Sequence, residues 1–259
     1  MTNHIFVLSY RGAQQFFENK KFQEFERSTF YFIDNGQQTY NNSLGCWSYT
    51  TERNIGCAGG WNLICKIAFD WFNLDKIIIT QDDATFSESD IEDALDQTSD
   101  KTLTGVLSPF FEFSCFAISK STYKTVGAFD ENFLWVYSED ADYKQRCMLS
   151  GVTINSLFVD PKGANQSLSV KADPSINRIL ENRAYLTLKW GQSVHPIPSA
   201  RADFQPPFEH RTPFSDIGMF PTDFIPVSDA VQKQFKCGDR MPSQIEYNKF
   251  LRGETNGNT

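Results

Sequence analysis

Two adjacent carboxylates follow an apolar segment in the first third of the sequence. Asp82 and Asp83 come directly after KIIITQ (76–81), which has the composition of a buried strand. In open α/β sheets, ligands bind beyond the carboxyl ends of the strands, and Mg²⁺ and Mn²⁺ prefer oxygen ligands. The pair therefore predicts a divalent-metal site. The structural alternatives are that the acids are solvated in a loop or cap a helix that begins near Ser87.

A second group of acids opens a predicted helix in the second half of the chain. Glu139, Asp140 and Asp142 crowd the first turn of this helix, and Ser138 stands where an N-cap is expected. Acids at a helix N-terminus commonly compensate the helix dipole, which is the structural interpretation. The functional interpretation is that one carboxylate acts as a general base.

A glycine-rich stretch, RNIGCAGGWN (53–62), leads into another predicted helix. Such loops let the backbone approach a phosphate or a nucleotide closely. The spacing is not that of a P-loop, and it also differs from the dinucleotide-binding fingerprint. Close packing of the helix against a neighbouring element is the structural alternative.

These segments need a scaffold, and the first hundred residues alternate strand and helix patterns as parallel β/α units do. The predicted strands are 4–10, 28–36, 76–81, 112–119 and 153–159. The predicted helices are 13–25, a segment opened by Gly59-Gly60 that runs to Phe72, 87–95, 137–150, and about 174–190. A polar loop is expected from Gln37 to Arg53. With no repeat and no linker, the sequence predicts one α/β domain with a C-terminal extension.

The bulk composition is that of a globular protein of 259 residues, 40% of them hydrophobic and 22% charged. A net charge of −8 without any run of Lys or Arg argues against general nucleic-acid binding, but leaves a local basic groove open. The six cysteines form no CxxC pair, so we expect free thiols in a reducing cytoplasm. The N-terminal apolar run reaches Arg11 too soon for a signal peptide, and no stretch approaches the ~20 apolar residues of a membrane span.

Taken together, these segments resemble the family 2 glycosyltransferases of the GT-A fold, especially the rhamnosyl- and galactofuranosyl-type transferases. The resemblance extends from about residue 4 to residue 191. Its segments are Ser9-Tyr10-Arg11, FIDNG (32–36), NIGCAGGWN (54–62), IIITQDD (77–83), FAISKSTYKTVGAFDENF (116–133), YSEDADYKQRCMLSG (137–151) and LKWG (188–191). It implies a single Rossmann-like GT-A domain with a mostly parallel sheet over 1–191. The Pro- and Phe-rich extension, 192–259, would pack on that domain.

The resemblance also implies roles for individual residues. Asp140 would be the general base with Glu139 as its neighbour, and Asp83 would be the metal ligand of the DXD motif. Asp34 would read the nucleotide base, and Asp82 would lie near the ribose and the metal shell. The other implied pocket residues are Ser9, Tyr10 and Arg11 beside the base, Asn54 and Gly60 around the nucleotide, and Trp190 and Gly191 beside a sugar.

Two positions depart from the family pattern. The first acid of the DXD motif is Gln81 here, so Asp83 must carry most of the metal binding. Many relatives also have a metal-ligating His after the strand that follows the ED helix, whereas this chain reads DPKGANQS (160–167). His195 or a water molecule is the candidate replacement.

The expected reaction is inverting sugar transfer from a nucleotide diphosphate sugar, with Mn²⁺ or Mg²⁺ as cofactor. UDP is the expected nucleotide, and dTDP and GDP are alternatives. The expected acceptor is a saccharide or glycoconjugate. The alternative acceptor is a modified (hydroxymethyl) base of viral DNA, which would place a viral enzyme in the host cytoplasm.

Two rival functions are a sugar-nucleotide nucleotidyltransferase and a non-catalytic nucleotide-sugar-binding module. The first usually carries a Gly-rich loop with a basic residue after its first strand, where only Arg11-Gly12 stands here. The presence of both Asp83 and Asp140 disfavours the second.

Overall fold

The computed structural model describes residues 2–106, 113–133, 135–157 and 168–179, together with Asn182, Arg183 and Leu186. The strands are β1 (Asn3–Ser9), β2 (Ser28–Asp34), β3 (Trp47–Thr50), β4 (Lys76–Gln81), β5 (Thr102–Gly105), β6 (Cys115–Ser119) and β7 (Thr153–Ser156). The α-helices are α1 (Ala13–Glu18), α2 (Gly56–Lys66), α3 (Glu88–Gln97), α4 (Lys120–Val126), α5 (Glu139–Leu149) and α6 (Leu168–Ala172). Shorter helical pieces are 3-10 turns at Lys20–Glu24 and Pro174–Ile176 and a π-helical turn at Ile67–Trp71.

The seven strands form one sheet in the order β3-β2-β1-β4-β6-β5-β7. Strand β6 runs antiparallel to both of its neighbours, β4 and β5, and the other four pairings are parallel. The expectation of an α/β fold with a mostly parallel sheet is therefore confirmed. The boundary expected at residue 191 lies outside the described residues.

Helices cover both faces of the sheet, as strand β1 shows. Phe6 and Leu8 pack on the face covered by α2, whereas Ile5 and Val7 pack on the face covered by α1 and α3. Alternate residues of a strand point to opposite faces, so a strand buried on both sides must be apolar throughout. This is why β1 and β4 could be recognised in the sequence as continuous apolar runs.

Several predicted elements differ from the observed ones. Strand β3 lies inside the segment that was predicted to be a polar loop, and β5 was not predicted at all. Helix α2 begins at Gly56, so Gly59 and Gly60 lie within it instead of opening it. A Cβ atom at Gly60 would stand 2.5 Å from the Leu8 side chain, so this glycine lets α2 pack closely on β1. The packing interpretation of the glycine-rich stretch thus applies to Gly60.

Helix α3 has its own cap. The Ser87 side chain accepts a hydrogen bond from the Asp90 backbone N–H, and the Asp90 carboxylate accepts one from Ser87 N, which completes a capping box. Neither Asp82 nor Asp83 caps this helix, so the capping alternative for that pair is wrong.

Candidate active site

A cavity of about 330 Å³ opens at the carboxyl ends of β1 and β4. The chain order of the sheet changes direction here, because β2 lies on one side of β1 and β4 on the other. Ligands bind at such switch points in open α/β sheets. Five residues proposed from the sequence line the cavity: Tyr10, Asn54, Asp83, Glu139 and Asp140.

Carboxylates that are far apart in the sequence converge on the Cys57 thiol at the start of α2. Burial raises the pKa of Cys57 well above its usual value, and the negative charges of Glu139, Asp140 and Asp83 raise it further. The Gln81 amide donates a hydrogen bond to Cys57 Sγ at 3.6 Å. The end of β4 and the first turn of α5 therefore both lie close to the Cys57 thiol.

Glu139 and Asp140 are adjacent but have different surroundings. Glu139 is 5% exposed, and its Oε2 atom is buried without a hydrogen-bond partner in the described part of the chain, whereas Asp140 is partly exposed. Burial, and then the charge of Asp140, raises the pKa of Glu139 to about 8. The nearby backbone of Glu139 and Tyr137 and the Cys57 thiol lower this pKa and so act in the opposite direction. Neighbouring carboxyl groups in unlike environments are suited to different roles in proton transfer.

Every charged side chain among the described residues that line the cavity is acidic: Asp83, Glu139 and Asp140. A diphosphate in this cavity therefore needs a counter-cation. Carboxylate oxygens suit Mg²⁺ or Mn²⁺, and Mg²⁺ is usually held by one or two carboxylates together with substrate phosphates and water. The described residues contain no group of three or more His, Cys, Asp or Glu that could hold a metal ion. The donor set fits a metal shared with a phosphate ligand better than one enclosed by the protein.

Asn35, which was not predicted as a site residue, fixes the loop before α2. Its Nδ2 atom donates to Asn54 Oδ1 at 3.0 Å, and its Oδ1 atom accepts from Ile55 N at 2.8 Å. Asn54 Oδ1 also accepts from Gly56 N at 2.8 Å. Since its oxygen is used twice by the protein, Asn54 is oriented so that its NH₂ group can serve as the hydrogen-bond donor to a ligand.

The segment before α5 has unusual backbone geometry. Trp135, Tyr137 and Ser138 all have positive φ angles, of 54°, 79° and 74°. Non-glycine residues in this region are strained, and such strain concentrates at functional sites. Ser138 occupies the N-cap position of α5, as predicted, but its side chain makes no capping hydrogen bond. The Trp135 carbonyl instead accepts from Cys57 N at 2.7 Å and joins this segment to α2.

Tyr10 and Arg11 tie the end of β1 to the α6 region. The Tyr10 hydroxyl donates to Asp173 Oδ2 at 2.9 Å, and Arg11 Nη2 lies 3.1 Å from the same oxygen. Ser169 Oγ donates to the Tyr10 carbonyl at 2.8 Å. These contacts place Val170 on the cavity wall. Arg11 does not line the cavity: its side chain is half exposed and is paired with Asp173.

Ser9 and Asp82 do not line the cavity. Asp82 is 7% exposed, and its carboxylate accepts hydrogen bonds from Ser9 Oγ at 2.5 Å and from the Gly12 backbone. A Cβ atom at Gly12 would overlap this carboxylate, so the glycine is needed for the close approach. Burial is the main cause that raises the pKa of Asp82 to about 7, and the charge of Asp83 contributes.

This environment predicts a pH-dependent stability. The pKa of Asp82 in the folded protein, about 7, lies above its usual value of 3.8, so between these values the folded state binds more protons than the unfolded state. The contribution of Asp82 to stability should therefore fall as the pH rises from about 4 to about 7. Urea unfolding between pH 4.5 and 8 should show that Asp82→Asn removes part of this decline, worth roughly 1–3 kcal/mol. Equal slopes for wild type and variant would contradict the prediction.

Asp34 does not line the cavity. It is 1% exposed, and its carboxylate accepts hydrogen bonds from Gln38 N at 2.9 and 3.1 Å and from Gln38 Nε2 at 3.0 Å. Thr50 Oγ1 lies 3.4 Å away. Burial raises the pKa of Asp34, and these hydrogen bonds oppose that increase. Asp34 thus anchors the loop after β2, and Asn35 beside it is the residue that reaches the cavity.

Replacing Asp34 by asparagine should therefore cost stability and spare ligand binding. The new amide NH₂ would face the donors of Gln38, which predicts a loss of about 1–2 kcal/mol in the free energy of unfolding. Chemical denaturation measures this loss, and calorimetry with UDP and Mn²⁺ should give an affinity within about threefold of wild type. A stable variant whose affinity for UDP is more than tenfold weaker would contradict this prediction and support the expected role of Asp34 in reading the nucleotide base.

Of the remaining residues proposed from the sequence, only Gly60 belongs to the part of the chain that the structure describes. Gly60 contacts Leu8 within the core and does not line the cavity. Trp190 and His195 lie outside the described residues.

The motif around residues 127–133 is attached to α2 by Asn62. Asn62 Nδ2 donates to the Phe129 carbonyl at 2.9 Å and to Glu131 Oε1 at 2.7 Å, and its Oδ1 atom accepts from Phe129 N at 2.8 Å. The Phe129 ring stacks on Tyr143 of α5, with centroids 3.9 Å apart. This turn therefore sets the position of α5 relative to α2.

A buried ion pair also holds α5 in place. Arg146 Nε donates to Asp142 Oδ2 at 2.9 Å, and both side chains are 0% exposed. Arg146 Nη1 donates to the Ala128 carbonyl at 2.6 Å, and its guanidinium lies 4.8 Å from the centre of the Tyr143 ring. Of the three acids predicted in this helix, Asp142 is thus part of the scaffold, whereas Glu139 and Asp140 line the cavity.

The membrane-spanning potential and the cysteines can be assessed in the part of the chain that the structure describes. In the described part of the chain, no helix has both the length and the apolar character needed to cross a membrane. The cysteines described there are free thiols, as predicted: Cys46, Cys57, Cys65, Cys115 and Cys147.

No protein-family model and no curated protein matches this chain.

Proposed function

We propose that this chain is an inverting glycosyltransferase of the GT-A type that uses a nucleotide diphosphate sugar, with UDP as the nucleotide. The observation that carries the proposal is that Asp83 and Asp140 line one cavity at the switch point of the sheet. A sugar nucleotide needs a group that balances the diphosphate charge and a base for the acceptor. These two acids, on different elements, suit those two tasks.

Asp140 is the base in this proposal. Its carboxylate takes the proton of an acceptor hydroxyl, and the hydroxyl oxygen forms a bond to the anomeric carbon of the sugar. The bond from that carbon to the diphosphate oxygen breaks on the opposite face, and its electron pair leaves with the nucleotide diphosphate. The partly exposed position of Asp140 leaves room for an acceptor, which we propose to be a saccharide or glycoconjugate.

Asp83 would hold the divalent cation. Bound Mn²⁺ or Mg²⁺ would compensate the negative charge that accumulates on the leaving diphosphate. Asn54 and Tyr10 would then contact the nucleotide, since both line the cavity near the end of β1. The absence of a basic residue among the described lining residues makes this cation essential to donor binding.

The test is calorimetry and thermal shift with UDP, dTDP and GDP and their sugar conjugates, with and without Mn²⁺. Wild type should bind one nucleotide family only with metal, and Asp83→Ala should weaken that binding at least tenfold. Asp93→Ala, an acid on the exposed side of α3, is the matched control and should bind as wild type does. No binding of any nucleotide with either metal would refute the proposed function and favour a binding module of another kind.

A further inference from the structure

Two buried polar atoms, each belonging to a residue that lines the cavity, have no hydrogen-bond partner in the part of the chain that the structure describes. They are Nε1 of Trp61, in α2, and Oε2 of Glu139, in α5. Trp61 is 1% exposed and Glu139 is 5% exposed, and both residues line the cavity. Buried polar atoms are nearly always satisfied, because an unpaired one loses its hydration without compensation. A polar ligand group that reaches both side chains from the cavity would supply the missing partners.

The surroundings of these atoms indicate what kind of ligand group fits. Leu8 and Phe113 also line the cavity, and the ring of Trp61 lies 5.7 Å from that of Phe113. The charged side chains that act on Cys57, one helical turn before Trp61 in α2, are Glu139, Asp140 and Asp83, all of them acidic. An anionic group such as a phosphate is therefore disfavoured beside Glu139, whereas a neutral polar group is not.

A hydroxyl group meets both requirements. Its oxygen can accept a hydrogen bond from the Trp61 N–H, and it can exchange hydrogen bonds with a carboxyl group in either protonation state. The groups that act on the Glu139 carboxyl include Asp140 on its own helix, the Cys57 thiol of α2 and the backbone of Glu139 and Tyr137. These groups carry no positive charge, so a protonated Glu139 that donates to a hydroxyl is consistent with them.

We propose that Trp61 and Glu139 form a subsite that binds hydroxyl groups of the sugar carried by the donor. The identity of the ligand as a sugar nucleotide rests on the proposed function. The subsite itself rests on the two unpartnered buried atoms. Trp61 donates to a sugar oxygen, and Glu139 acts as a neutral hydrogen-bonding group. These two residues would therefore determine which sugars are accepted, separately from recognition of the nucleotide.

The test compares sugar and nucleotide recognition in matched variants. Calorimetry measures the affinity of each variant for four probes, each in the presence of Mn²⁺. The probes are UDP, UDP-glucose, UDP-galactose and UDP-N-acetylglucosamine. Trp61→Phe and Glu139→Leu should weaken binding of the preferred UDP-sugar about tenfold and leave UDP alone within threefold of wild type. Glu139→Gln should stay within threefold for both, because the amide keeps a donor and an acceptor.

Tyr143→Phe is the control, since the Tyr143 hydroxyl is also buried without a partner among the described residues but does not line the cavity. It should bind every probe as wild type does. Circular dichroism checks the fold of each variant. If Trp61→Phe does not fold, the comparison of Glu139→Leu with Glu139→Gln still tests the subsite.

A second experiment tests sugar binding without a nucleotide. Saturation-transfer NMR detects binding of methyl glucoside, methyl galactoside and methyl N-acetylglucosaminide. If wild type binds a glycoside in a manner lost in Glu139→Leu but binds no UDP, the subsite stands and the proposed function fails. Three outcomes would each overturn the subsite. The first is an equal loss of affinity for UDP and for the UDP-sugar, and the second is unchanged UDP-sugar binding in both Trp61→Phe and Glu139→Leu. The third is that wild type binds no glycoside and no UDP-sugar.

Discussion

Asp140→Asn is expected to lower the rate of sugar transfer by about two to four orders of magnitude, the range that general-base catalysis contributes. The asparagine side chain keeps the size of the aspartate but cannot take a proton from an acceptor hydroxyl. Asp140 is partly exposed, so the change should leave the fold intact. Release of UDP from the preferred UDP-sugar measures the rate, and calorimetry should show an affinity for UDP within about threefold of wild type.

Two comparisons make this result specific. Asp93→Asn removes a carboxylate from the surface of α3 and should keep the full rate. Asp83→Ala should lose both rate and metal-dependent UDP binding, whereas Asp140→Asn should lose the rate alone. An Asp140→Asn variant with more than about a tenth of the wild-type rate would show that another group, or no group, accepts the proton.

Asp142→Ala is expected to lower the free energy of unfolding by about 3–5 kcal/mol, the largest effect on stability that we predict. The change removes the Asp142 carboxylate from beside the Arg146 guanidinium, which is buried at 0% exposure. The hydrogen bonds from Arg146 Nη1 to the Ala128 and Val126 carbonyls stay in place but do not neutralise the charge. Urea denaturation at pH 7 would measure the loss.

The double variant Asp142→Leu with Arg146→Met separates the cost of an isolated charge from the value of the pair. Replacing both partners of a buried ion pair by apolar residues is often close to neutral. We therefore expect the double variant to recover most of the stability lost in Asp142→Ala. A double variant at least as unstable as Asp142→Ala would mean that the hydrogen-bond geometry at Arg146 dominates over charge.

The central strands could be predicted because burial on both faces makes them apolar throughout, as in β1 and β4. Strand β3 could not, because it is an edge strand whose Trp47, Ser48 and Thr50 are exposed and therefore resemble a loop in the sequence. Glycines are usually unfavourable inside helices, so the sequence pattern predicts a later start for α2 than the structure shows. The close contact between Gly60 and Leu8 explains the exception, and it depends on tertiary packing.

Prediction of the site had a similar limit. The position of Asp83 after an apolar strand and of Asp140 in a first helical turn could be inferred from local pattern, and the structure brings both to one cavity. The hydrogen bonds from Gln38 to the Asp34 carboxylate could not be inferred, because Gln38 is a common polar residue in a loop. The unpartnered atom of Trp61 is likewise invisible in the sequence, where an indole inside a helix pattern indicates only core.

The antiparallel strand β6 has a consequence for the order in which the protein can be made. It pairs with β4 at residues 76–80, yet it begins only at Cys115. Until that segment has left the ribosome, the Ile77–Ile79 edge of the nascent sheet is available to other chains, and exposed apolar edges promote aggregation. Prematurely terminated chains that end between β4 and β6 should thus be more prone to aggregate than chains that include both strands.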